Sequence, residues 1–358
     1  MKMRLWWAKW QRLTRWEFWP VWAIYPPVFF SVIWEGLRLR GLTLWANCNP
    51  GMTLSGIALE SKSGLLASLE AGDEGIRVAR FRRVSGEGAE PVEEVRSFVR
   101  EAGGFPVILK PDVGQRGQGV AIVHDEEEAR EWISHCDEVF LVQEYVRGLE
   151  FGVQWARFPE TKRGMIPSLC GKHPQRIQGD GKRTLKELIL DDDRAVLMAS
   201  YYFKKFAGEL NRVLADGELF GLAPIGTHSR GAVFTDERSL VTEGLRGAFD
   251  RLGDRFPGFH LGRYDIKVPS IDNLQAGREI VVLELNGVMG EPAHIYQPGY
   301  PWWRGIRDLC RHFRLAAEIG KACCDRGIDP PELGDLLDLI RQHREKDYLE
   351  VDERWVRE

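Results

Sequence analysis

Hydrophobic and polar positions change period several times along this chain, and each change marks an element. Residues 18–34 read FWPVWAIYPPVFFSVIW, a stretch without charge that Pro20, Pro26 and Pro27 interrupt. From about residue 53 onward, short apolar runs alternate with helical spacings, the pattern of an α/β chain. Helices are predicted at 65–69, 91–102, 126–134, 184–190, 240–252 and 306–324, with a charged helical tail from Pro331. Strands are predicted at 76–81, 105–110, 139–145 and 151–158. Two more strands, 262–268 and 281–286, carry polar residues inside apolar runs. Side chains alternate faces along a strand, so Glu284 and Asn286 of VVLELN point the same way. Asp265 sits at the centre of GRYDIKV. With the two strands paired, three oxygen-bearing side chains converge, and hard oxygen ligands suit Mg²⁺. The alternative is a polar strand face turned to water.

Composition narrows the class. The chain has 358 residues and a formal net charge of −4, which gives no reason to invoke nucleic acid. Cys48, Cys136, Cys170, Cys310, Cys323 and Cys324 form no CxxC pair and no metal-ligand spacing, which fits a reducing compartment. Tryptophan is the outlier: Trp6, Trp7, Trp10, Trp16, Trp19, Trp22, Trp34 and Trp45 all lie in the first 45 residues. Residues 1–15 are basic and aromatic with no acid, and Arg38 and Arg40 restore positive charge after the apolar run. That run is short for a spanning helix and is broken by proline. Trp and Tyr favour the headgroup level, and basic residues favour anionic lipid. Residues 1–45 are therefore read as a membrane-associated segment that re-enters the cytoplasmic leaflet or lies in the interface. A single spanning helix and an aromatic dimerisation arm are the competing readings. Glu17 and the lack of a small-residue cleavage site argue against a signal peptide.

Four stretches carry candidate chemistry. In VILKPDVGQRGQGV, an apolar strand ends at Lys110 and enters a turn with Gly114, Gly117 and Gly119. Such glycines let backbone amides approach an anion, and the lysine adds charge beside them. It is neither a Walker loop nor a dinucleotide fingerprint. In VFLVQEYVRGLEF, an apolar strand runs into a linker whose backbone suits an adenine edge, with Glu150 placed to accept from ribose hydroxyls. In QGDGKRTLKEL, Thr184 and Glu187 make a capping box, which is a structural role. In THSRGA, Arg230 is placed to bind a phosphate or carboxylate, and His228 is either a substrate contact or a polar loop residue.

Taken in order, these stretches resemble the ATP-grasp superfamily, in particular its D-alanine–D-alanine ligase and cyanophycin-synthetase types of carboxylate–amine ligase. The resemblance runs from about Glu60 to about Pro298. Glu60 to Leu66 is similar to the lysine before the first ATP-binding helix, and 105–111 to the lysine strand. It implies an α/β (α+β) ATP-grasp fold, two lobes with antiparallel sheets clasping ATP, preceded by a hydrophobic N-terminal segment. The implied divisions are 1–45, 46–105 as the N-terminal part of the ATP-grasp region, 106–178 as the small lobe, 179–330 as the C-terminal lobe, and 331–358 as the tail. It implies that Lys62 and Lys110 hold phosphates, that Gly114, Gln115, Arg116, Gly117, Gln118 and Gly119 form the phosphate loop, and that Glu144, Tyr145 and Val146 form the adenine hinge. Glu150 takes the ribose position; Asp265, Glu284 and Asn286 take Mg²⁺, as two ions with Mn²⁺ able to substitute. Arg263, Arg230 and Lys172 act on the transferred phosphoryl group and the acyl phosphate. The expected activity is ATP-dependent joining of a carboxylate to an amine, on a small-molecule or lipid-linked substrate at the cytoplasmic face of the inner membrane, with a homodimer as a further expectation. The alternatives are a soluble ligase with a dimerisation arm and a non-catalytic ATP-binding scaffold. One departure stands out: only about sixty residues precede Lys62, so the usual wall of the acceptor site is missing or replaced.

Overall fold

A computed structural model describes residues 2–69, 75–85, 90–114, 117–223, 226, 228 and 231–346. The chain opens with helices α1 (Lys2–Thr14), α2 (Val21–Leu39) and α3 (Lys62–Ala67). Strands β1 (Ile76–Val78) and β2 (Phe81–Val84) lead to α4 (Glu90–Ala102), β3 (Val107–Pro111), β4 (Ala121–Val123), α5 (Glu126–Ile133) and β5 (Phe140–Glu144). Then come β6 (Leu149–Ala156), β7 (Met165–His173), β8 (Gln175–Gln178), α6 (Leu185–Asp191), α7 (Ala199–Lys205), β9 (Leu219–Ala223) and β10 (Val233–Asp236). The remainder is α8 (Glu243–Asp254), β11 (Leu261–Val268), α9 (Ile271–Ala276), β12 (Ile280–Asn286), α10 (Trp302–Cys324) and α11 (Leu333–Glu345).

Two main sheets face the functional region. The larger has the order β1-β12-β11-β6-β7-β10, antiparallel except for the parallel β1/β12 pair. The smaller has the order β2-β5-β3-β4 and is wholly antiparallel. The larger sheet buries Trp155, Phe249, Phe259 and Tyr264, and the smaller buries Val107, Leu109, Trp132 and Phe140. A third cluster joins Ile177, Leu185, Tyr202 and Phe206. This architecture agrees with the α/β expectation of antiparallel sheets preceded by an apolar segment.

The N-terminal segment differs from its sequence reading. Pro26 and Pro27 lie inside α2 and do not end it. Proline removes backbone donors and normally breaks a helix, but tertiary packing holds this one. Trp16, Ile24 and Val28 are buried with Ile295, Tyr300, Leu309 and Phe313 from the other end of the chain. Buried Glu35 of α2 pairs with Arg38 and lies 3.7 Å from Arg314 of α10. The opposite face stays open, with Trp6, Trp7, Trp10, Trp22, Phe29, Phe30 and Trp34 all more than half exposed. Among the described residues, no helix is long and apolar enough to cross a membrane.

The predicted strand at 76–81 is two strands, β1 and β2, that enter different sheets. The break falls at Arg80, whose backbone N–H donates to Glu144 Oε1 at 2.9 Å instead of extending a ladder. β7 and β10 lie outside the predicted set. β7 contains Pro167, Ser168, Gly171 and Lys172, which carry no strand periodicity. One buried amide anchors the strand that matters most. Asn49 Oδ1 accepts from the N–H groups of His260 and Leu261, and its Nδ2 donates to Leu261 O at 2.7 Å. That fixes where β11 begins, and with it the positions of Arg263 and Asp265.

Candidate active site

β11 and β12 pair so that Asp265 faces Glu284 and Arg263 faces Asn286. Directly opposed residues share a sheet face, so all four side chains emerge together. On the other side of β11, Asp265 pairs with Gly152 of β6, and on β7 Lys172 pairs with Glu150. A Cβ at Gly152 would stand 3.2 Å from Arg263 Cδ and 3.4 Å from Asp265 Oδ1, so the missing side chain leaves room for this charged group.

The charges are buried and interlocked. Lys172 Nζ lies 3.0 Å from Asp265 Oδ2 and 3.3 Å from Glu150 Oε1. Arg263 Nε donates to Asp265 Oδ1 at 3.0 Å. Burial alone would push the Asp265 carboxyl up, but Arg263 and Lys172 outweigh it and hold it below the usual range. Burial likewise opposes the Lys172 ammonium, but Asp265 and Glu150 raise it above its ordinary value. Lys110, at the end of β3, donates to Gln143 Oε1 at 2.8 Å and to Leu283 O at 3.2 Å. It thus reaches from the small sheet to the residue beside Glu284. Burial pulls its ammonium down to about 8, with Glu284 pulling the other way.

Between the sheets lies a cleft lined by Lys110, Gly117, Glu144, Tyr145, Val146, Glu150, Lys172, Asp265 and Glu284. Ile108, Val120, Ile122 and Leu283 supply apolar walls. Lys62, Gly114, Gln118, Gly119, Arg263 and Asn286 do not line it. Lys62 instead donates from Nζ to Gly114 O at 2.6 Å, and Gly119 O accepts from Trp132 Nε1 at 3.1 Å. Glu144 contributes less than its motif suggests. Its carboxylate is committed to Arg77 and Arg80 and its N–H to Arg80 O, so the hinge is left to Tyr145 and Val146. Gln115, Arg116 and Arg230 lie outside the described residues.

Sequence reasoning missed Lys267 and Glu60, and read Gln143 only as the start of the adenine hinge. Lys267 lines the cleft, donates to Val146 O at 2.8 Å and stands 5.1 Å above the Tyr145 ring. Its signal was present, because it lies two residues beyond Asp265 on the same strand. Gln143 had no such signal, because its task is to receive Lys110. Glu60, whose carboxyl burial raises to about 7, lies against the turn where Gly56 meets Gly287.

The donor set fits a hard cation. Asp265 and Glu284 offer carboxylate oxygens and Asn286 an amide oxygen on one sheet face. No cluster of three or more His, Cys, Asp or Glu side chains able to hold a metal ion occurs among the described residues. Mg²⁺ bound there would neutralise phosphate oxygens.

The charge lattice is directly testable. Removing one partner of a buried pair costs about 3–5 kcal/mol, so Lys172→Met should destabilise the protein by that order. Adding Glu150→Gln removes one of the two stranded carboxylates and should restore part of the loss. Urea unfolding of the single and double variants checks this, and equal stabilities would refute the coupling.

Comparison with known proteins bears on this arrangement. Residues 80–150 match the RimK-like ATP-grasp domain. Cyanophycin synthetases from Geminocystis herdmanii and Crocosphaera subtropica are 21% and 23% identical to the chain over 225 residues. These matches cover 57% of this chain and 25% of each relative, so the chain spans about a quarter of the relatives' length. Similar solved structures include the D-alanine-D-alanine ligase from Coxiella burnetii, at 14% identity and TM-score 0.40, covering 80% of this chain and 62% of that one. Another is the bifunctional glutathione synthetase from Pasteurella multocida, at 14% identity and TM-score 0.31, covering 66% of this chain and 34% of that one. Residues 80–150 are thus similar to a RimK-like ATP-grasp domain, and the ordered motifs resemble the same superfamily.

Proposed function

We propose that this protein is an ATP-dependent carboxylate–amine ligase working at a membrane surface. The observation that carries the reading is the shared face of Arg263, Asp265, Glu284 and Asn286 beside a cleft lined by Lys110, Glu150 and Lys172. In this reading a substrate carboxylate attacks the γ-phosphorus of ATP, giving an acyl phosphate and ADP. An amine then attacks the acyl carbon, forming the C–N bond and releasing phosphate. Lys110 and Lys62 hold phosphate oxygens, Glu150 accepts from the ribose, and Arg263 faces the charge that builds on the transferred group. Two Mg²⁺ ions, replaceable by Mn²⁺, complete the site.

The membrane part rests on the open aromatic face of α1 and α2. An exposed apolar patch of this size marks an interaction surface. The basic residues contribute less than their number suggests, since Arg4 is ion-paired with Asp191 and Arg12 lies 5.3 Å over the Phe18 ring. Binding is therefore carried by rings more than by charge. In this reading the substrate is a lipid-linked or envelope-related molecule at the cytoplasmic face of the inner membrane, where the aromatic face would hold the active site.

Three outcomes are expected. ATP turnover requires both a carboxylate and an amine, and Glu284→Gln abolishes it; persistent turnover in that variant removes the metal assignment. Free Lys110 loses its proton as pH rises through about 8, whereas phosphate binding needs the charged form. ATP affinity should therefore fall above that pH, with proton uptake on binding, measured calorimetrically in buffers of different ionisation enthalpy. Folding runs the other way: the cost of burying the charge is full below about 8 and is relieved toward 10.5, so this group's contribution to stability rises over that window. Finally, the protein should float with neutral liposomes, and Trp22→Gln with Phe30→Gln and Trp34→Gln should stop flotation while sparing turnover. Deletion of the segment is the poorer test because Trp16, Ile24 and Val28 are core residues. A protein that stays with the soluble fraction and elutes as a dimer would favour the dimerisation arm.

A further inference from the structure

Helix α10 runs beside α2, and its outer face has a different chemistry from that of its neighbour. The Trp19 ring, just before α2, lies 6.4 Å from the Trp302 ring at the start of α10. Pro27 O lies 4.0 Å from Cys310 Sγ, and Arg38 Nη2 donates to Glu318 Oε1 at 2.9 Å. Later residues of α2 thus meet later residues of α10, so the two helices are parallel neighbours. Both turn their inner sides to one apolar cluster, Ile24 and Val28 from α2 and Leu309 and Phe313 from α10. Their outer faces therefore adjoin.

The outer face of α2 is aromatic, with Trp22, Phe29, Phe30 and Trp34 exposed. That of α10 is cationic. Arg304, Arg307, Arg311 and Arg314 recur at spacings of three or four residues, which keeps them on one side of the helix, and all are exposed. From Trp302 to Arg311 the exposed residues are two tryptophans and three arginines, with no acid among them. The Trp303 ring carries Arg304 Cζ at 5.1 Å and Arg307 Cζ at 5.6 Å from its centroid.

Unlike Arg4 and Arg12 of α1, these charges are not spent on the surface. No carboxylate pairs with Arg304 among the described residues. Arg307 and Arg311 lie 3.4 and 3.7 Å from Asp308 Oδ1, but that carboxylate is buried beneath them and its other oxygen accepts from Tyr300 at 2.7 Å. Arg314 is the exception, since Glu318 pairs with it at 3.0 Å.

An aromatic face beside a row of guanidiniums matches the cross-section of a bilayer surface. Tryptophan rings settle at the headgroup level, and arginine stems cover apolar surface while their heads reach outward. A soluble acidic partner would use the cations and leave the rings bare. A purely apolar partner would bury the guanidiniums at a cost. A surface with acyl chains and negative headgroups takes both.

We infer that Arg304, Arg307 and Arg311 form an anionic-headgroup contact, so that the protein docks on bilayers containing acidic phospholipid with the start of α10 at the level of the phosphates. The inference rests on the membrane reading above and adds to it the lipid class and a second helix.

The test is partition of the full chain onto phosphatidylcholine vesicles with and without phosphatidylglycerol, at low salt. Binding to the acidic vesicles should be roughly tenfold or more tighter, since each arginine near such a surface is worth about fivefold. Salt should erase the difference, because exposed charges are screened. Arg304→Gln with Arg307→Gln and Arg311→Gln should remove it and leave binding to neutral vesicles unchanged, which also reports that the variant is folded. Arg304→Lys with Arg307→Lys and Arg311→Lys should keep most of it, because the attraction is to charge. Equal binding to both vesicles, or a difference that survives the glutamine changes, would overturn the headgroup contact and leave the aromatic face standing. Binding to acidic vesicles alone would support the contact and sink the ring-driven reading. Binding to neither would overturn both.

Discussion

A carboxylate taken out of water must be met by cations, and the site is organised around that demand at Asp265. Arg263 meets it from the same strand and Lys172 from β7. Lys172 in turn meets Glu150 of β6, so one lattice of charges ties β6, β7 and β11 together beside Glu284 of β12. Such a lattice adds little net stability, because desolvation offsets much of the attraction. What it supplies is position. Each charge is where it is because moving it would strand another.

The same economy links the two sheets. β3 ends in Lys110, whose ammonium is held by Gln143 of the small sheet and by the backbone of Leu283 in the large one. Two residues on, Asp112 accepts from Ser61 and from the N–H of Ser63, fixing the start of α3 and hence Lys62. One strand end therefore sets both lysines expected to face phosphate. The lowered pKa of Lys110 is a consequence of this placement, since a buried ammonium with incomplete compensation is waiting for an anion.

Much of this was legible in the sequence, for identifiable reasons. β11 and β12 stood out because polar residues recur at period two inside apolar runs. Glu187 after Thr184 announced a cap, and the structure has the reciprocal bonds. What escaped was set by distant partners. β7 alternates poorly because its neighbours, not its periodicity, decide its faces. The split between β1 and β2 depends on Glu144, more than sixty residues away. α2 reads as broken by proline until Ile295, Leu309 and Phe313 provide its packing. Lys172 could be named but not placed, because its role exists only once β6, β7 and β11 lie side by side.

The N-terminal segment shows how one helix can serve two surfaces. α2 is apolar around most of its circumference, and an all-round apolar helix needs cover on every side. The lobe covers one side through Ile24 and Val28, and Trp22, Phe29, Phe30 and Trp34 are left exposed. Tyr25, between these faces, bonds to Glu291 a few residues beyond Asn286. The inner face of the helix therefore touches the loop after β12. A free arm would bring the chain to a surface without orienting it. An arm packed on α10 and bonded at Glu291 sets the cleft's angle to whatever it binds, which is why its buried and exposed residues should be tested separately.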